Sequence, residues 1–242
     1  MRDFCPWCFL MTLMLCHCAP MPPVTVPKSE AVAANQLCLA GNACGPTAAL
    51  NALRHGSAVY QAVAAGIPGD SDTKQLRDLV LHQGSRTSRH TPHRRRWSLR
   101  GINAVDLTDL INELLLSSPA PEVRLWIPQG SDKATRMYRR IARSLKVGFP
   151  PIVGLRRYAG FEVIDSHYVT VVGVAPCANG DENAFVLTYL DPMGARTLQG
   201  IVRCEKRGKS WRCVADCPQT PVGLRRAKVP SQLHVDSLIV AP

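Results

Sequence analysis

The hydrophobic pattern changes period near Pro150, and that change leaves the chain few architectures to choose from. Upstream, apolar residues recur every three to four positions. Thr47 to His55 is rich in helix formers and stops at Gly56, a natural helix C-terminus. Asp72 to His82 puts Leu76, Leu79 and Val80 on one helical face, with Gly84 following as a stop. Two more amphipathic stretches follow, one through Leu107, Leu110, Ile111, Leu114 and Leu115, the other through Met137, Ile141 and Leu145. Downstream, "PPIVGL", "HYVTVVGV", "AFVLTYLD", "TLQGIVRCE" and "WRCVAD" are short, β-branched runs separated by turn residues. These are the marks of antiparallel strands. Helices first and strands later predict an α+β domain, and a chain of 242 residues with 46% hydrophobic content can bury a core of ordinary size.

The N-terminus carries Arg2, an apolar stretch from Phe9 to Leu15 and then Ala19-Pro20, a pattern too short to span a bilayer and similar to a secretory leader. The expected organisation is a signal peptide or membrane-targeting leader over 1–20, a Pro-rich linker over 21–34 and one domain over 35–242. Translation from Met11 or Met21 is the alternative, and a lipid anchor on Cys16 or Cys18 stays open. Export predicts a secreted or cell-envelope protein. "CPWC" at Cys5 to Cys8 has redox spacing but neither the strand before nor the amphipathic helix after, so it reads as leader. Beyond it stand Cys38, Cys44, Cys177, Cys204, Cys213 and Cys217. Cys204, Cys213 and Cys217 are close enough in sequence to supply one local disulfide. A zinc site from those three and His234 does not match ribbon or finger spacing, so no metal and no cofactor are expected.

A net charge of +11 concentrates in Arg86 to Arg100 and in Arg203 to Lys228. The run around Arg94, Arg95 and Arg96 reads as a solvated loop, with contact to an anionic envelope polymer or lipid as its functional alternative. No aromatic RNP strand or helix-turn-helix pattern accompanies the charge, so nucleic acid is not an expected partner.

In "GNACGPTAALNALRHG", Cys44 stands where a helix begins. There the unpaired backbone N–H groups and the helix dipole favour thiolate over thiol. A buried structural thiol is the plain alternative. His167 opens the run "HYVTVVGV", where a strand can hold an imidazole rigidly as general base, and Asp191 closes "TYLD", where a neighbouring strand can bring a carboxylate to the ring. Each of the two has a bland reading as well, a core histidine bonded to backbone and an Asp-Pro turn starter.

"CGPTAALNAL", "SHYVTVVGV" and "LDPMG", in that order, resemble papain-like cysteine peptidases, and more narrowly the bacterial peptidases of cysteine family thirty-nine with their stand-alone secreted relatives. The resemblance covers about Asn35 to Gly194. It implies a papain-like α+β fold in which a helical N-terminal half, with the nucleophile at a helix N-terminus, packs on a C-terminal antiparallel sheet. It implies Cys44 as nucleophile, His167 as base and then acid, Asp191 as the orienting carboxylate, and a peptide or protein substrate. It also implies a glutamine before the cysteine as oxyanion donor, beside the nucleophile's own N–H. The family places that glutamine six positions ahead, where this chain has Cys38; Gln36 lies eight ahead, and Asn42 is the fallback. Two other functions remain open, acyl transfer as in phytochelatin-synthase-like proteins and a non-catalytic envelope binding protein on the same scaffold. A Cys38–Cys44 disulfide that shuts the nucleophile is a further expectation, from proximity alone.

Overall fold

The computed structural model describes residues 22–26, 31–39, 41–130, 132–208, 210–220 and 231–242. The leader read over 1–20 lies outside the described residues. Among the described residues, no helix is long and apolar enough to cross a membrane.

The chain runs through β1 (Val24–Thr25), a single 3-10 turn at Gln36–Cys38, then helices α1 (Cys44–Arg54), α2 (Ala58–Gly66) and α3 (Asp72–Asp78). A π-helical turn over Leu79–Gly84 extends α3. The hairpin β2 (Trp97–Ser98) and β3 (Gly101–Ile102), α4 (Ala104–Leu115), β4 (Arg124–Trp126) and α5 (Ala134–Lys146) complete the first part. Six strands follow, β5 (Ile152–Ala159), β6 (Glu162–Pro176), β7 (Ala184–Asp191), β8 (Arg196–Arg207), β9 (Ser210–Asp216) and β10 (Gln232–Val240). Caps are local: Asn103 accepts the Asp106 N–H at 2.8 Å at the head of α4, and Ser71 does the same for Lys74 at α3.

Every pairing in the main sheet is antiparallel, and the sheet closes on itself. The long strand β6 makes this geometry: residues 162–170 pair with β5, and residues 170–176 pair with β7. From β5 the order continues through β10, β9 and β8 back to β7, a six-stranded ring whose β9–β10 seam is joined at His234 and Val214. A register shift between Val171 and Gly173 lets β6 turn from one neighbour to the other. Alternation along β6 then divides two cores. Val169 and Val171 join Phe185, Leu187, Leu155 and the apolar face of α5 (Met137, Tyr138, Ile141, Leu145), while Tyr168 joins α1, α2 and α4. The fold is α+β, with the first helix packed on the antiparallel sheet as expected. Cys204 and Cys213 stand opposite each other on β8 and β9 and form a disulfide.

Three features differ from the sequence reading. Part of the Pro-rich stretch is structure rather than tether: β1 pairs with Val174 and Gly173 of β6, Val26 is buried, and the Pro22 carbonyl accepts the Tyr138 hydroxyl at 2.6 Å. Proline removes only its own N–H, so Val24 and Thr25 stay free to pair. The basic segment before α4 is not wholly solvated. Arg94 and Arg95 are exposed, but Arg96 is 2% exposed and forks onto both oxygens of Glu113 at 2.8 and 2.7 Å. Its bond holds the Glu113 carboxyl below the usual range. Finally, α2, the β2–β3 hairpin, β4 and β10 have no counterpart in the sequence reading.

Candidate active site

Helix α1 is buried from Cys44 through Leu53, so its N-terminus is fixed by packing rather than by propensity. The Thr170 hydroxyl of β6 donates to the Ala48 carbonyl at 2.8 Å, joining helix to sheet one turn below the cysteine. Gly45 allows the closest approach: a Cβ there would lie 2.3 Å from Cγ2 of Ile102 in β3. Only a residue without a side chain lets the hairpin press against the first turn.

The same hairpin braces the loop ahead of the helix. Trp97 donates its indole N–H to the Asn42 carbonyl at 3.0 Å, and the Asn42 N–H donates to the Leu99 carbonyl at 3.1 Å. Gly41, at φ +86, passes beneath Leu99. The Cys44 backbone N–H points to the Asn42 side-chain oxygen at a long 3.5 Å, so Asn42 offers its acceptor to the head of the helix.

His167 sits on β6, opposite Leu155 of β5, and is 4% exposed. Its Nε2 bonds Asp191 Oδ1 at 2.8 Å, from the last residue of β7. That carboxylate is completely buried and also accepts the Met193 N–H at 2.8 Å, within its own turn. With Nε2 engaged, Nδ1 is the nitrogen left for Cys44. Burial opposes the charged ring, but the bond to Asp191, the bond to Cys44 and both charges outweigh it and push the imidazole up to about 9.

Gln36 is brought to this cluster despite its offset in sequence. Asn51 of α1 holds Ala34 through two bonds, accepting its N–H at 2.6 Å and donating to its carbonyl at 3.4 Å. The Gln36 N–H then donates to the Pro192 carbonyl at 2.9 Å, and the Asn35 side chain accepts from Gly194 at 3.1 Å. The segment before Cys44 is thus stapled to the Asp-Pro turn that carries Asp191. Gln36 is 6% exposed, and its Oε1 is buried without a hydrogen-bond partner. An amide in that state has not been committed to holding the fold together.

The other cysteines contrast with Cys44. Cys38, Cys44, Cys177 and Cys217 are free thiols, so the Cys38–Cys44 bridge is not formed. Burial pushes the Cys217 thiol up to about 12, which disfavours its thiolate, and raises the Cys177 thiol as well. Cys204 and Cys213 are spent on their disulfide, and among the described residues no group of three or more Cys, His, Asp or Glu is arranged to hold a metal ion. The hairpin at Trp97 and Leu99, which frames the loop before Cys44, has no counterpart in the sequence reading because it lies inside a basic stretch without an apolar pattern.

No family model matches the chain, and no curated protein matches it in sequence. Among solved structures it is similar to one titled crystal structure of UfSP from C. elegans, at 12% identity and a TM-score of 0.42. That superposition covers 92% of this chain and 35% of the other, so the chain spans about a third of that structure's length. The fold assignment rests on the chain's own geometry. A cysteine heads a helix that packs on an antiparallel sheet, and the sheet supplies the histidine and the acid. This is an α+β arrangement.

Proposed function

We propose that this protein is a thiol peptidase that hydrolyses peptide bonds through Cys44, His167 and Asp191. The observation that carries the reading is the buried His167–Asp191 bond, which leaves the imidazole's other nitrogen for Cys44 at the head of α1. Three groups of this chemistry, each held by a different element, supply a nucleophile, a base and an orienting carboxylate.

The Cys44 thiolate attacks the scissile carbonyl carbon, and the carbonyl oxygen takes up the displaced electron pair. In this reading the Cys44 N–H, which leans on the Asn42 oxygen at 3.5 Å, and the Gln36 amide N–H serve as the donors to that negative oxygen. As the tetrahedral centre collapses, His167 delivers its Nδ1 proton to the departing amine, and a thioester remains on Cys44. Neutral His167 then takes a proton from water as that water attacks the thioester, which releases the acid and restores the ion pair. Asp191 keeps the ring oriented and its charge compensated throughout.

The substrate of this reading is a peptide or protein, and its setting is outside the cytosol, in the cell envelope or secreted. The leader-like pattern at Phe9 to Leu15 and the disulfide across β8 and β9 support that setting, since such bridges persist in oxidising compartments.

The test is alkylation of Cys44 by iodoacetamide, read by peptide mass spectrometry, beside turnover of a fluorogenic peptide library. Labelling at neutral pH is expected to be at least about tenfold faster in the wild type than in His167→Ala, with library turnover lost in Cys44→Ala. Equal labelling in both proteins, with no turnover, would return the chain to a binding scaffold. Acyl transfer to an added amine in preference to water would replace hydrolysis by transferase chemistry.

A further inference from the structure

The mechanism uses none of the chain's excess positive charge, yet one part of that charge is organised. A cleft of about 720 Å³ opens between α5 and β4. Arg136, Arg139, Arg140 and Arg143 line it from the helix, and Arg124 and Trp126 line it from the strand. The helical arginines fall on one face at spacings of three, four and seven residues, a row roughly 10 Å long. Opposite this face, Met137, Ile141 and Leu145 are buried in the core, so the row cannot turn away from solvent without undoing the packing of α5.

Two details separate this cleft from an ordinary solvated helix face. Arg140 lies over the Trp126 ring, 5.0 Å from its centre, so its guanidinium is held at the cleft wall, and its buried Nε has no hydrogen-bond partner. Compensation inside the protein is also slight. Arg136 pairs with Asp132, whereas Arg124, Arg139, Arg140 and Arg143 have no carboxylate partner among the described residues. In contrast, the basic segment before α4 spends Arg86, Arg89 and Arg96 on the single carboxylate of Glu113. Concentrated, uncompensated guanidinium groups in a concavity fit a compact anion with several oxygens, because each planar fork can take two of them at once.

We propose that the cleft between α5 and β4 binds a phosphate-bearing ligand, through Arg139, Arg140 and Arg143 on one side and Arg124 on the other. Arginine supplies every one of these positions, and arginine's fixed fork fits the tetrahedral phosphate face better than a lysine's point charge. The concave shape suits a headgroup or a free oligophosphate that reaches inward. This proposal is independent of the Cys44 reading, and its test reads binding rather than turnover.

Sodium tripolyphosphate is titrated calorimetrically into the full chain at physiological ionic strength, and sedimentation with phosphatidylglycerol vesicles is compared with phosphatidylcholine vesicles. Arg139→Glu/Arg143→Glu, both exposed positions, is expected to weaken tripolyphosphate binding at least about tenfold. Arg94→Glu/Arg95→Glu, the same charge change on the loop before α4, is expected to alter it less than about twofold. Arg139→Gln/Arg143→Gln repeats the test with smaller perturbation of the fold. Tripolyphosphate binding with phosphatidylglycerol co-sedimentation identifies a lipid headgroup, and tripolyphosphate binding without it identifies a soluble phosphorylated ligand. The proposal is overturned if neither probe binds, if both charge-reversal pairs weaken binding equally, or if the cleft takes only polyglutamate or an oligonucleotide.

Discussion

His167 Nε2 and Asp191 Oδ1 stand 2.8 Å apart, while the second carboxylate oxygen, Oδ2, is buried without a hydrogen-bond partner. The Arg196 guanidinium comes no nearer to Oδ2 than 4.0 Å, too far to donate, so it contributes charge alone. Oδ1 orients the ring and the carboxylate's charge stabilises it, and two substitutions separate these effects. Asp191→Asn keeps an acceptor and loses the charge; about a tenfold loss of kcat is expected, with KM little changed. Asp191→Ala loses both, and about 10²- to 10³-fold is expected. Steady-state kinetics on a library-derived peptide measures the ranking, and equal losses in the two variants would show that orientation alone matters.

The raised imidazole makes stability depend on pH in a definite direction. In the unfolded chain His167 titrates near 6.5, and in the folded protein at about 9. The folded state therefore holds this proton more tightly. The stability it confers is fully present below about pH 6.5 and is lost as pH rises through about 9, with a ceiling of about 3 kcal/mol. His167→Gln lacks this titration. Urea unfolding of both proteins, followed from pH 6 to pH 10, is expected to show the wild-type advantage shrinking across that interval, and part of it should vanish in Cys44→Ser because the sulfur contributes to the shift.

Gly45 connects fold to chemistry through one contact. A methyl group on its Cα would stand 2.3 Å from Ile102 Cγ2, so Gly45→Ala must move either the first turn of α1 or the hairpin that braces Asn42. About 1–3 kcal/mol of stability is expected to be lost, together with much of the fast alkylation of Cys44. Ile102→Ala in the same chain removes the colliding Cγ2 and should restore the labelling rate. If Gly45→Ala alone labels as fast as the wild type, the close approach has no bearing on the nucleophile.

How much of this was legible in the sequence follows from the range of each signal. Cys44 before Gly45-Pro46, His167 before a β-branched run and Asp191 before Pro192 are local patterns, and they mark the head of a helix, a buried strand and a strand end. Closure of the sheet is not local. It depends on β6 pairing with β5 along one half and with β7 along the other, and on β10 returning to lie beside β5 from the far end of the chain. Arg96 was misjudged for a similar reason: its partner Glu113 lies on α4, and nothing near Arg96 in sequence announces a carboxylate waiting in the core. Gln36 shows the limit of counting. Its distance from Cys44 in sequence is two residues longer than the resemblance implies, yet the 3-10 turn and the bond to Pro192 place it beside the Asp191 turn.

That placement yields the last prediction. The Gln36 side chain makes no hydrogen bond to a described residue, and its Oε1 is buried without a partner, so its truncation removes no bond that holds the fold. A purely structural glutamine would behave in the opposite way. Gln36→Ala is therefore expected to leave the thermal midpoint nearly unchanged and the alkylation rate of Cys44 intact, because the Cys44–His167 pair does not depend on it. Peptide turnover, which requires the negative oxygen to be met by a donor, is expected to fall by about 10²- to 10³-fold in kcat. Gln36→Glu, which offers an acceptor where a donor is needed, should fall at least as far. An Asn42→Ala variant provides the comparison, since Asn42 presents its oxygen to the Cys44 N–H. If Asn42→Ala costs the larger share of kcat while Gln36→Ala is silent, the oxyanion donor comes from the loop ahead of the helix rather than from the 3-10 turn.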